Sequence, residues 1–270
     1  MSDFEHSHWA DPAFSREYLD SADHYIPDRH YLFHVLRSFY RAFIGRTDGT
    51  PLSICDLGCG DGILTHQLLP IAPSMQATLV DGSAEMLESA KRRLSGHGGF
   101  RFVQRGFDEL IKDSSALGQF RFIVSSFAIH HLGRAERQAL FGVAYRHLEK
   151  GGVFMNIETA LPDHPGLTEW YYQLWQEWIA RHGQVRGHGD KFRDVPTKAR
   201  ENPDNQYSPL GEQLADLSGA GFDEVECHYR NGIFAIYSGR KLREGAPRGR
   251  SKHQDPKSKE APIPKLQRDS

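Results

Sequence analysis

Residues 54–62 read Ile-Cys-Asp-Leu-Gly-Cys-Gly-Asp-Gly, and 19 residues beyond Gly62 an apolar run ends at Asp81. Leu52, Ile54 and Leu57 suit a buried parallel strand. Gly58, Gly60 and Gly62 form a turn into Ile63–Leu69, whose apolar spacing is helical. Leu79-Val80-Asp81 reads as the end of a second strand. A glycine turn after one strand and an acid closing the next is how an open α/β sheet holds a nucleoside: the glycines admit the ligand to the backbone, and the acid accepts hydrogen bonds from ribose hydroxyls.

The choice of nucleoside follows from neighbouring residues. A dinucleotide fingerprint starting at Gly58 needs a small residue at position 63, where Ile63 stands. Asp56 and Asp61 flank the turn, and a pyrophosphate requires N–H groups and a positive helix end rather than carboxylates. A phosphate-free, positively charged cofactor fits better. At these residues the chain resembles the class I S-adenosylmethionine-dependent methyltransferases, whose first motif has the form acid-x-Gly-x-Gly-x-Gly.

Three further segments carry the resemblance, which spans roughly residues 20–240. Val80–Leu87 followed by Ala90–Leu94 is similar to the family's second motif, Phe122–Leu132 to the fourth-strand motif, and Leu148–Ile157 to the turn and fifth strand. The resemblance implies S-adenosylmethionine as cofactor, held by Asp56, Gly58, Gly60, Gly62, Asp81 at the ribose, Gly82, and Met86 near adenine. Ser125 would meet the methionine part. Relatives often carry an Asp after the third strand, where Gly106 stands here; adenine recognition then rests on backbone groups near Phe107 or on Asp108. The segment Asp23–Arg29 resembles a lid, with Tyr25 over the sulfonium and Arg29 at the methionine carboxylate. His130 and His131 sit where the fourth strand opens toward the sulfur. A neutral imidazole takes a proton near pH 7, and His130 is slightly preferred as the catalytic residue.

Strand and helix patterns alternate along the chain. They predict a Rossmann-like, doubly wound, mostly parallel seven-stranded sheet with right-handed crossovers. Arg230-Asn231-Gly232 separates two strand-like runs, a hairpin signal. Apolar residues at 32, 33, 35, 36, 39, 40 and 43 predict an amphipathic helix over 31–43. The expected organisation is an N-terminal helical lid (1–45), a methyltransferase domain (46–242) and a disordered basic tail (243–270). Residues 161–208, too long for a plain loop, form a substrate cap. Its helix from Thr168 carries Trp170, Tyr171, Tyr172, Trp175 and Trp178, with Tyr171, Trp175 and Trp178 on one face. Trp170, Trp175, Asn156 and Glu158 are the candidate acceptor-binding groups.

Composition narrows the partners. The tail holds eight Lys/Arg against four Asp/Glu; with a whole-chain net charge of −2, that leaves the first 242 residues at −6. An acidic body argues against a nucleic-acid substrate. No apolar run reaches the roughly 20 residues needed to span a bilayer, and no Cys/His spacing suits a metal, so three free thiols in a reducing cytoplasm are expected. The expected function is methyl transfer to a small-molecule acceptor by in-line displacement. A tRNA-modifying enzyme of the same fold and a non-catalytic S-adenosylmethionine-binding module are the alternatives. The acceptor and the oligomeric state are not legible.

Overall fold

A computed structural model describes residues 21–45, 51–187 and 189–242. The tail assigned to 243–270 and the first twenty residues of the expected lid lie outside the described residues. Seven strands form one sheet: β1 (Ser53–Leu57), β2 (Gln76–Asp81), β3 (Phe100–Gln104), β4 (Phe120–Ser126), β5 (Leu148–Thr159), β6 (Asp223–Asn231) and β7 (Phe234–Arg240). Their order is β3-β2-β1-β4-β5-β7-β6. Strands β1 to β5 pair in parallel, and β7 runs antiparallel between β5 and β6. The chain moves outward from β1 in one direction through β2 and β3, then in the other from β4. The switch point between β1 and β4 is where such sheets open a crevice at their carboxyl ends.

The alternation of side chains along each strand sorts the core into two layers. Ile54, Phe122, Val124, Met155 and Ile157 face one layer. It is covered by helices α1 (Arg29–Phe39), α2 (Ile63–Leu68) and α3 (Ala84–Arg93). Cys55, Leu57, Ile123 and Phe154 face the other, beneath α4 (Phe107–Lys112) and α5 (Arg134–His147). Two further helices follow β5, α6 (Thr168–Arg186) over the first layer and α7 (Val195–Glu201); α8 (Leu210–Gly219) then packs on the second. The stretch 161–208 leaves and rejoins the body at one point, where Leu161 bridges Pro209 and its N–H donates to Ser208 O at 2.9 Å.

Two helical stripes differ from expectation. The first helix ends in a π turn, Tyr40–Ile44. The extra residue in that turn carries Ile44 into the core (1% exposed) and leaves Phe43, expected inside, 53% exposed. On α6 the buried positions are Tyr172, Trp175, Ile179 and Gly183, so the stripe is rotated by about one residue and Tyr171 and Trp178 are only half-buried. The predicted hairpin forms as read, with Gly232 at φ 57° in its turn.

Helices α5 and α8 are joined by ions. Arg137, 2% exposed, donates from Nη2 to Asp216 Oδ2 and to Glu212 Oε1, both at 2.7 Å. Arg134 and Gln138 donate to Asp216 Oδ1. Removing Arg137 strips Asp216 Oδ2 of its donors and leaves that buried carboxylate only Arg134 and Gln138 at Oδ1. Arg137→Ala is expected to lower unfolding free energy by up to about 3 kcal/mol, the low end for a broken buried pair, checked by urea titration, while S-adenosylhomocysteine affinity changes little because the pair lies away from the glycine turn.

Candidate active site

Three glycines shape the turn after β1 for different reasons. Gly58, Gly60 and Gly62 all have positive φ (65°, 53° and 75°). A Cβ on Gly58 would lie 2.5 Å from Ala128 Cβ and 3.0 Å from the Phe107 ring. One on Gly62 would crowd Leu79, Ala90 and Leu94, closing β2 against α3. At Gly60 a Cβ would meet nothing within 4 Å; that position stands open.

The donors of this turn are already engaged. Cys59 N donates to Val80 O at 2.9 Å, Gly62 N to Cys59 O at 2.9 Å, and Gly60 N to Asp81 Oδ2 at 2.8 Å. Ser83 N donates to Asp81 Oδ1 at 2.9 Å. A pyrophosphate would find few N–H groups here and a carboxylate beside it, so the turn suits a nucleoside without phosphates. Each Asp81 oxygen accepts one backbone bond and keeps a lone pair for a hydroxyl. Shielding by the surrounding protein raises the Asp81 pKa, and the Ser83 and Gly60 N–H groups oppose that rise. Gly82 O accepts from Gln104 Nε2 at 3.4 Å. Met86 is 2% exposed near the start of α3. Gly106 caps α4, its N–H donating to Glu109 Oε2, and Phe107 lies against Gly58. Asp108 is ion-paired to Lys112 at 3.0 Å.

The acids flanking the turn have different fates. Asp61 pairs with Arg93. Asp56, 1% exposed, accepts from Thr65 Oγ1 (2.8 Å) and N (3.3 Å) at Oδ2, while Oδ1 is buried without a partner. Burial, reinforced by Asp81 and Asp61 and opposed by Thr65, pushes its pKa up to about 7. An orphaned carboxylate oxygen beside the glycine turn fits a cationic cofactor and not an anionic one.

A second region, a cavity of about 340 Å3, is walled by Phe127, His130, His131, Trp175, Phe192 and Tyr207 among others, and Ala128, next in the chain after Phe127, stands against Gly58 of the turn. Phe127 adopts φ 48°, a strained conformation for a bulky residue, and packs edge-on against Phe234. The two histidines follow in a single 3-10 turn, Ile129–His131.

Glu158, expected to contact an acceptor, instead stands behind His130. It is 1% exposed and its Oε1 lies 2.6 Å from His130 Nδ1. Its Oε2 accepts from Ile129 N (3.0 Å) and His130 N (3.1 Å), and Oε1 also accepts from Thr159 N (2.8 Å). A carboxylate accepts only, so Nδ1 carries the proton and Nε2 is the basic nitrogen. His131 is held differently, with Nδ1 3.1 Å from Asp204 O. Burial, then the neighbouring His130, pushes its pKa well below the ordinary range, so it stays neutral. The geometry separates two adjacent histidines that sequence could only rank.

Other expected contacts are redirected. Ser125 is fully buried and donates its hydroxyl to Leu57 O at 2.7 Å, tying β4 to the end of β1. Asn156 is fully buried and donates to Tyr237 Oη at 2.8 Å, because the strand period of two turns it toward α8 with Phe154. Trp170 is 52% exposed and outside the cavity lining. Trp175 does line the cavity, its Nε1 donating to Tyr25 O at 2.6 Å, and Tyr25 is on the same wall. Arg29 is held within the lid, donating to Asp23 Oδ1 at 2.7 Å and stacked over Phe33. Phe127, within the fourth-strand motif, and Asn202, Asn205 and Tyr207, within the expected cap, also line the cavity, although nothing in the sequence sets them apart from their neighbours.

The chain can now be set beside known proteins. The methyltransferase-domain family matches residues 54–152. Over 84 residues the chain is 30% identical to malonyl-[acyl-carrier protein] O-methyltransferase of Halalkalibacterium halodurans, covering 31% of each. Over 157 residues it is 28% identical to ribosomal RNA small subunit methyltransferase C of Salmonella paratyphi B, covering 56% of this chain and 43% of that one. The chain thus spans less than half the length of these curated relatives. Among solved structures, an O-methyltransferase family protein from Burkholderia thailandensis superposes with TM-score 0.61 at 13% identity, covering 88% of this chain and 63% of that one. Human N-acetylserotonin methyltransferase in complex with S-adenosylmethionine gives 0.51 at 19% identity, covering 87% and 60%. These two structures share the fold. Residues 54–152 thus match a methyltransferase domain, in keeping with the resemblance to the class I S-adenosylmethionine-dependent methyltransferases. Among the described residues no helix is long and apolar enough to cross a membrane.

The Asp56 environment has a testable sign. Its folded pKa of about 7 exceeds the ordinary 3.8, so the folded protein keeps a proton that the unfolded chain loses. Stability contributed by this group falls as pH rises from about 4 to about 7. Asp56→Asn is expected to gain up to about 4 kcal/mol over the native protein at pH 8 and nothing at pH 4, read by urea unfolding at both. An equal difference at the two pH values would contradict the assignment.

Proposed function

We propose that this protein transfers a methyl group from S-adenosylmethionine to a hydroxyl of a small-molecule acceptor held in the aromatic cavity, with His130 as general base and Glu158 as its positioning residue. The observation that carries this reading is the buried Glu158–His130 pair on the cavity wall, with Ala128 against Gly58 of the glycine turn.

When bound, S-adenosylmethionine supplies an electrophilic methyl on a sulfonium. Gly60 would offer open backbone, Asp81 would accept from ribose hydroxyls, Asp56 Oδ1 would meet a cationic group, and Met86, Gly106 and Phe107 would close on the base, with Tyr25 and Arg29 contributing from the lid. The cavity walls exclude water and orient the acceptor, and orientation alone is worth up to about 7–11 kcal/mol of barrier. His130 Nε2 takes the acceptor hydroxyl proton. The Glu158 carboxylate fixes the ring and stabilises the imidazolium that results, and general-base catalysis by His130 adds roughly 10²–10⁴-fold. Glu158 is itself held by three backbone N–H groups, so it does not rotate away. Lys198 is the one Lys or Arg side chain among the described cavity-lining residues, which supports a small acceptor over the ribosomal RNA named for one relative. Retention of bulk RNA at low salt, with labelling of that RNA, would favour the second reading.

Two variants test the assignment. Asp81→Ala should weaken S-adenosylhomocysteine binding by about 1.5–3 kcal/mol, the value of hydrogen bonds to a charged acceptor, measured by calorimetry. His130→Ala should lower turnover about 10²–10⁴-fold, with S-adenosylhomocysteine affinity retained; the acceptor comes from a metabolite extract incubated with methyl-labelled cofactor and read by mass spectrometry. Equal loss of turnover and cofactor affinity would make His130 structural.

A further inference from the structure

Helix α3 is tied at its start to the acid that closes β2 and at its end to the glycine turn. At the start, Ser83 Oγ accepts from Met86 N at 3.3 Å, and Ser83 N donates to Asp81 Oδ1 at 2.9 Å. At the end, Arg93 reaches 32 residues back in the chain to Asp61. Its Nε donates to Asp61 O at 3.1 Å and its Nη2 to Asp61 Oδ2. One guanidinium thus holds both the carbonyl and the carboxylate of a single residue. Between the two ends the helix is packed against the turn, where a Cβ on Gly62 would lie 3.2 Å from Ala90 Cβ.

Asp61 stands where the turn has most freedom of its own. Gly60 and Gly62 on either side have φ of 53° and 75°, and glycine gives up more conformational freedom than any other residue when it is fixed. Asp61 is 5% exposed, whereas the Arg93 side chain is 35% exposed. The bond to the carbonyl fixes the peptide plane between Asp61 and Gly62, and Gly62 N donates in turn to Cys59 O at 2.9 Å. The other ties of the turn, Cys59 N to Val80 O and Gly60 N to Asp81 Oδ2, both run to β2. A lysine at position 93 has no planar fork and would not reproduce the two bonds.

We propose that Arg93 is a positioning residue for the cofactor: by clamping Asp61 it holds the glycine turn in its binding conformation before S-adenosylmethionine arrives, and so raises cofactor affinity. This rests on the reading of the turn and Asp81 as the nucleoside site. A turn that must be ordered on binding binds more weakly, because the ordering offsets part of the contact energy.

The probe is S-adenosylhomocysteine, titrated calorimetrically into the full chain and its variants, with urea unfolding of each measured in its absence. Arg93→Met loses both bonds and should weaken binding about five- to tenfold. Arg93→Lys should fall between Arg93→Met and the native protein. Asp61→Asn keeps the carbonyl bond and an oxygen facing Nη2, so it should bind within about twofold of native. Lower stability of Arg93→Met with unchanged affinity would make the contact structural and overturn the proposal. So would equal weakening by Asp61→Asn and Arg93→Met, which would set the Asp61 charge itself at the cofactor. Should Arg93→Met fold poorly, Arg93→Lys decides, and native affinity in that variant overturns the clamp. Asp81→Ala separates the two readings. If it leaves affinity intact, the turn is not the nucleoside site; if it weakens binding while Arg93→Met does not, only the clamp fails. No binding by the native chain overturns both.

Discussion

A carboxylate with 1% exposure, Glu158 at the end of β5, collects three backbone N–H groups and one imidazole. A charge placed there without those donors would cost several kcal/mol. The donors come from two places: the 3-10 turn that follows β4 and the residue that follows Glu158 itself. Glu158 therefore fixes the relation between the ends of two neighbouring strands at the sheet's carboxyl edge. It also dictates the histidine tautomer, since an acceptor at Nδ1 leaves Nε2 basic.

Asp81 serves the same purpose on the other side of the switch point. It joins the glycine turn after β1 to the turn after β2 through Gly60 and Ser83. Both carboxylates organise backbone, and both sit where strand ends diverge and leave room for a ligand. Between them, Phe127 bends through a positive φ and carries the chain from the end of β4 to the histidines. Strain at such a residue is tolerated where flanking contacts over-determine it; here Phe127 N donates to Ile157 O at 2.9 Å and its ring abuts Phe234.

The cap is built on the same edge. Its ends meet at Leu161 and Pro209, and Gln206 N donates to His130 O at 2.7 Å. The segment that roofs the cavity is thereby hydrogen-bonded to the histidine it covers, with Tyr207 5.3 Å from the His130 ring. The shape of the cavity and the position of His130 are thus set by one set of contacts.

The fold was legible because its signals are local. Glycines requiring positive φ, an acid 19 residues on, strand alternation and Asn-Gly at the hairpin each depend on neighbours in sequence. What lay beyond sequence was direction. Asn156 and Glu158 read as one pair facing an acceptor, yet both turn toward the layer of α5 and α8: Asn156 to Tyr237, Glu158 to a turn 28 residues earlier. Ser125 likewise gives its hydroxyl to Leu57 O, 68 residues away. His130 and His131 are equivalent by composition and position; only burial and the partner of each Nδ1 distinguish them. Sequence determined which groups reach the carboxyl edge of the sheet. Tertiary structure decided which of them are consumed by one another and which still face the cavity, because a buried polar group takes the partner that packing brings within reach.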